Sequence, residues 1–247
     1  MCIRDRYDTD GSSSGAGSWE LMANSWGFDG SQHYPPHFSA SSKISLGWMT
    51  SRTIVTPGQY MLHQAEERPE CWRIDRGYPA GEYLLIENRQ PYGFDEDMPQ
   101  GGLCIWHVDE AKAGNDDEGH PQQAGWPGNN RHYRLALLQA DGRFDLERDG
   151  NRGDGADAWR AGGADRLDDS TLPNLSGYQG GTVQPTGDHI FRISRAEPEM
   201  SFWYGPHLPP EVHCRPVPTL QCNGDGGRHV TLWFDCLLYT SPSPRDS

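Results

Sequence analysis

The strongest constraint on this chain's fold is a series of short, apolar, strand-forming runs separated by glycine and proline. Glu82 to Asn88 and Gly102 to Val108 are the clearest, rich in Leu, Ile, Tyr, Trp and Val and short enough for strands. Thr53-Ile54-Val55-Thr56, a Pro57-Gly58 turn and Gln59 to His63 predict a hairpin. His132 to Gln139 sets Tyr133, Leu135 and Leu137 on one face, as in a half-buried strand. Ile190 to Ile193 and Met200 to Tyr204 are expected to close the sheet. One short helix is expected after Pro35-Pro36, with Phe38, Ile44 and Leu46 as apolar anchors and Gly47 as its stop. The predicted fold is mainly β with a short helix. Nine tryptophans among 30 glycines and 19 prolines suit a loop-rich domain whose aromatic residues supply much of the core.

The two ends read differently from the rest. Met1 to Arg6 and Cys236 to Asp246 match translated sequencing-adapter sequence, so residues 1–6 and 236–247 are expected to be non-native and are set aside. The chain is then expected to be a fragment lacking both natural termini. Its formal charge of −14 becomes one unit more negative without these ends, which hold three arginines and two aspartates. So acidic a chain repels nucleic acid and suits an extracellular or calcium-loaded protein. No stretch reaches the roughly 18 apolar residues of a membrane span. Cys71, Cys104, Cys214 and Cys222 allow one or two disulfides in an oxidising compartment, with the pairing left open. Residues 205–218 hold Pro206, Pro209, Pro210, Pro216 and Pro218 and read as a linker, and 219–235 as the start of a truncated β module.

Two constellations could carry chemistry. Asp141, Asp145, Glu147, Asp149, Asn151, Asp154 and Asp157 crowd one glycine-rich stretch, offering the hard oxygen ligands that calcium takes. Of these, Asp141, Asp145, Asp149, Asn151, Asp154 and Asp157 are the candidate calcium ligands, although the EF-hand pattern is incomplete and a solvated acidic loop is the plainer alternative. His107 and Asp109, two apart on a predicted strand, share a face. They are expected either to bind a metal or to form a buried His–Asp hydrogen bond. Glu82 and Glu87 should fall on opposite strand faces, which disfavours a paired-carboxylate glycosidase centre. His33 and His37 are separated by Pro35-Pro36, which forbids the helix that would align them on zinc. Trp48, Trp106, Trp126, Trp159 and Trp203 are expected to be core or rim residues. Neither a Gly-x-Ser-x-Gly elbow nor a P-loop occurs.

A further set of motifs runs in order along the chain: Tyr7-Asp8-Thr9-Asp10, Ser18-Trp19-Glu20-Leu21-Met22-Ala23, Pro36-His37-Phe38, Lys43, Leu46-Gly47-Trp48, Glu82 to Gln90, Gly102 to Glu110, and Ala140-Asp141-Gly142. Their order and spacing resemble secreted zinc metallopeptidases of the immune inhibitor A type. The resemblance implies a metzincin-like architecture, with a lower catalytic subdomain over 7–50 and a β-rich, sandwich-like extension over 51–204. It also implies that Met22 is the methionine of the turn beneath the metal, where a soft thioether can floor the site without competing as a ligand. The zinc histidines and general-base glutamate would lie upstream of Tyr7, and Asp5, at the third ligand's position, falls in the adapter-like end. The implied function is zinc-dependent endoproteolysis of protein or peptide substrates outside the cell, with this stretch inactive by itself. The alternative is a non-enzymatic, calcium-stabilised β-sandwich binding module, an adhesin or carbohydrate binder.

Overall fold

The computed structural model describes residues 8–206 in full, together with the backbone of strands Val212–Val217 and Trp233–Leu238. Tyr7, the adapter-like residues 1–6 and most of 205–247 therefore lie outside the described residues. The chain divides into two compact units, the boundary falling after Pro206.

Among its described residues the larger unit is mainly β with one short α-helix, as expected. Helix α1 (Ala40–Ser45) begins later than the prolines suggested, because Ser39 supplies the N-cap and accepts the Ser42 N–H at 3.3 Å. Such a cap contributes about 1 kcal/mol. Gly47, at φ 74°, ends it.

Five strands form the first sheet, in the order β1 (Thr50–Thr53), β3 (Glu70–Ile74), β4 (Glu82–Arg89), β5 (Gly102–Asp109), β6 (Leu135–Leu137). The pairings are antiparallel except for β1 with β3. A second, antiparallel sheet has the order β2 (Gly58–His63), β9 (Glu199–Gly205), β8 (His189–Phe191), β7 (Leu167–Asp168).

The expected 53–63 hairpin does not form. Ile54 extends β1 by donating to Arg73 O at 2.8 Å, and the chain then crosses at Pro57 to the other sheet. There β2 pairs with β9, from Gly58↔Tyr204 to His63↔Glu199. Local turn chemistry marked the bend correctly, but long-range pairing chose the partners.

Every residue of β4 and β5 is buried, so these strands are covered on both faces. One face carries Ile74, Leu84, Ile86, Leu103 and Ile105, which pack on Leu62, Ile190, Met200, Phe202 and Tyr204 of the second sheet. The other face carries Leu85, Cys104, Trp106 and Val108, which pack on Ala16, Trp19 and Ala40. Residues 8–50 and 51–204 thus share a core. Each Leu or Ile so enclosed contributes about 1.5–3 kcal/mol relative to exposure. The strand at His132 to Gln139 shortens to Leu135–Leu137 and is buried throughout, not half-exposed, because the same two layers enclose it. Trp106 and Trp159 are core residues, whereas Trp48 is exposed.

Cys71 and Cys104 are buried free thiols, on β3 and β5 with β4 between them. A strand's width on either side of β4 exceeds disulfide reach. Cys214 and Cys222 are outside the described side chains. In the smaller unit, part of the expected linker is a strand, β10 (Val212–Val217), paired antiparallel with β11 (Trp233–Leu238).

Candidate functional site

The turn that carries Met22 is built around one side chain. A short 3-10 turn, Gly17–Trp19, leads into Glu20, whose backbone turns extended. The Glu20 carboxylate accepts the Met22 N–H at 3.1 Å and the Ser39 N–H at 2.8 Å. Its own carbonyl accepts from Ala23 and Asn24. Met22 is half-buried at the apex.

Beneath it lies a closed polar network. Glu87 accepts the Ala40 N–H at 3.1 Å and the Trp106 indole N–H at 2.9 Å, and pairs with Lys43 Nζ at 3.4 Å. Arg89 donates to Trp19 O at 3.2 Å and forks onto Asp95 at 2.6 and 2.8 Å. Burial alone would raise the Glu87 carboxyl, but the Lys43 and Arg89 cations outweigh it and hold it below its ordinary value. The separate motifs at 18–23, 36–38, 43, 82–90 and 102–110 therefore interlock in space.

Zinc does not fit the described residues at this turn. Glu20 is committed to two backbone amides, and no His, Cys, Asp or Glu cluster able to share an ion is found there among the described residues. His33 is exposed and His37 half-buried in non-helical backbone, as the prolines require.

The acidic stretch is ordered by small side chains and by Gln139. Gln139 is fully buried, accepts the Asp145 N–H at 2.8 Å and donates to Glu147 at 2.7 Å. Asp154 donates its N–H to Asp157 Oδ2 at 2.8 Å, and the Trp19 indole donates to the same oxygen at 2.9 Å.

Of the six candidate ligands, Asp141, Asp154 and Asp157 converge, with one oxygen of each within 4.8 Å of the others. Asp145 and Asp149 lie outside this trio, and Asn151 sits against it. Asp149 accepts from Ser14, Asp145 faces Asn151, and Asn151 donates to Asp154 at 3.0 Å, bracing the trio. Burial, reinforced by Asp154 and Asp141, pushes the Asp157 carboxyl up to about 7. Burial likewise lifts Glu147 to about 8. Three carboxylates crowded at such short range could hold a metal ion.

His107 and Asp109 do share a face, and both are buried, but they do not bond to each other. His107 Nε2 meets Glu82 Oε1 at 2.8 Å, and His132 Nε2 meets Asp109 Oδ2 at 2.7 Å. The cross-strand register explains the exchange, since Glu82 lies directly opposite Asp109. Glu82 also accepts the Tyr178 and Gln179 N–H groups, at 2.7 and 3.2 Å. Tyr178 stacks on His107 at 4.2 Å and meets His132 edge-on at 4.9 Å. The hydrogen bonds from His132 and Gln179 overcome burial and hold Asp109 down to about 2. Each histidine's Nδ1 is buried without a hydrogen-bond partner, so each ring is held through its Nε2 contact to a carboxylate. The cluster clamps the 178–179 segment to the sheet. Glu82 and Glu87 lie on opposite faces, as expected.

No family model matches the chain, and no curated protein matches it. Among the described residues, no helix is long and apolar enough to cross a membrane.

Proposed function

We propose that this chain is the C-terminal part of the catalytic domain of a secreted, zinc-dependent endopeptidase of the immune inhibitor A type. The observation that carries the reading is the interlocking of its motifs. Trp19, Glu20, Met22, Lys43, Glu87, Arg89 and Trp106 belong to motifs set apart by their order along the sequence, and they share one hydrogen-bonded network at the Met22 turn. In this reading Met22 floors the metal site, and the sheet beneath it forms the base of a cleft for protein or peptide substrates. The zinc ligands and general base belong upstream of Tyr7, so no chemical step is assigned to the residues described. Sequencing the parent gene tests it: H-E-x-x-H directly upstream of Tyr7 is expected, and its absence there overturns the assignment. The purified chain is expected to hydrolyse no peptide bond.

A second reading, a calcium-stabilised β-sandwich binding module, is favoured by the convergence of Asp141, Asp154 and Asp157. Calorimetric titration with calcium, repeated on Asp154→Asn, distinguishes it. Binding heat lost in the variant supports the site, and no heat with no thermal shift in the parent chain removes it.

A further inference from the structure

Three segments meet over Arg89: the β2–β3 connection with Glu66, the turn Gly93–Asp95, and the approach to α1 at His37. Asp95 accepts both arms of the Arg89 fork and the His37 N–H at 2.9 Å. Glu66 Oε1 accepts the Gln90 N–H at 3.1 Å and stands 3.5 Å from Arg89 Nε. The Glu66 side chain is only 2% exposed, and its Oε2 is buried and meets no donor.

The charges here do not balance. Glu66, Glu87 and Asp95 are three buried carboxyl groups, served by two buried cations, Arg89 and Lys43. An unpaired buried carboxylate takes up a proton instead of staying charged. The other polar neighbours cannot supply the missing charge: Cys104 on β5 is a buried thiol pushed further up by burial. Burial and the nearby Lys43 and Arg89 push His37 down to about 4, so it is neutral.

We propose that Glu66 and Asp95 share one proton, Glu66 Oε2–H donating to the Asp95 carboxylate, and that this proton is an alkaline-sensitive latch joining the three segments. The assignment gives the orphaned Oε2 a role and leaves two anions facing two cations. The direction of donation follows from the surroundings. Burial lifts Glu66 to about 8, whereas on Asp95 burial is overcome by Arg89, which keeps that group ionised. Because the folded Glu66 value is raised, its contribution is complete below the ordinary carboxylate value and is lost as pH rises through about 8. The inference stands apart from the peptidase reading, since it needs neither zinc nor substrate.

Infrared spectra of the full chain test it, comparing the parent with Glu66→Gln. At about pH 7 the variant should lack one protonated-carboxyl stretch that the parent shows, and in the parent that band should fade as pH passes about 8. Glu147 and Asp157 titrate over the same range in both chains, so their bands cancel in the parent-minus-variant difference and leave that of Glu66. In urea unfolding, the parent's stability should fall between about pH 5 and 9 more steeply than the variant's, by the equivalent of one proton. Identical carboxyl spectra, or identical pH slopes, overturn the proposal. Should Glu66→Gln fail to fold, Asp95→Asn replaces the anionic acceptor with an amide and should shift the Glu66 band. A band unmoved in that variant also overturns it.

Discussion

The indole N–H of Trp19 donates to Asp157 Oδ2 at 2.9 Å, tying the buried floor of the Met22 turn to the acidic loop 138 residues further along the chain. The two candidate sites are thus mechanically joined through one side chain.

Gly153 is where that junction is tightest. Its φ is +114°, and an added Cβ would lie 2.5 Å from Trp19 Nε1. Gly153→Ala is expected to destabilise the chain by about 2–4 kcal/mol, combining backbone strain with overpacking. Chemical denaturation measures this, and a loss below ~1 kcal/mol would show that the indole can move aside.

Asp157 should make stability pH-dependent in the acid-to-neutral range. Its folded value is raised to about 7, so its contribution is complete below about 4 and declines as pH rises through about 7. Asp157→Asn should flatten that decline while keeping an acceptor for Trp19. A cation bound by the trio favours the ionised form, so calcium addition near pH 6 should release protons from the parent chain and none from the variant. Buffer-dependent calorimetry reads the proton count.

Arg89 serves Asp95, Glu87, Glu66 and the Trp19 carbonyl at once. Arg89→Met keeps the length but leaves buried carboxylates unpaired, and should cost about 3–5 kcal/mol. The loss should be smaller at acid pH, where those carboxyls protonate. Equal losses at about pH 5 and 8 would argue that packing, not charge, dominates.

Glu82 accepts three N–H donors, from His107, Tyr178 and Gln179. Glu82→Ala strands them and is expected to cost about 3 kcal/mol or more, at roughly 1–3 kcal/mol per unsatisfied group. Hydrogen exchange should quicken first at Tyr178 and Gln179. Unchanged exchange there would show that the segment is held by Tyr178 stacking alone.

How much was legible follows from the range of each signal. Strands β4 and β5 are legible nearly to the residue, because a short, mostly apolar run is what a strand buried on both faces requires. The Pro57-Gly58 bend is legible too, but its strand partners are not, since a turn signal is local and the partner of β2 lies at 199–205. In the acidic stretch, composition pointed to oxygen ligands but could not tell Asp141, Asp154 and Asp157 from the aspartates beside them. The sequence sets His107 and Asp109 on one face but does not show that Glu82 and His132 are their partners. Those pairings depend on a register that no single strand reveals. Glu66 and Asp95 carry no sequence signal at all; only the fold brings them to Arg89.

The crossing at Pro57 has a consequence in time. Strand β2 is among the first strands of the chain, but its hydrogen-bonding partner is β9, the last strand of its unit. A ribosome must therefore deliver residue 204 before β2 can leave its unpaired state. Until then Tyr60 and Leu62 face no second-sheet neighbour. Sheets closed by such distant pairings form slowly and expose adhesive edges while they wait. Shortening the chain before Glu199 should thus convert a folding protein into an aggregating one, even though the Met22 turn and the acidic loop would both still be encoded.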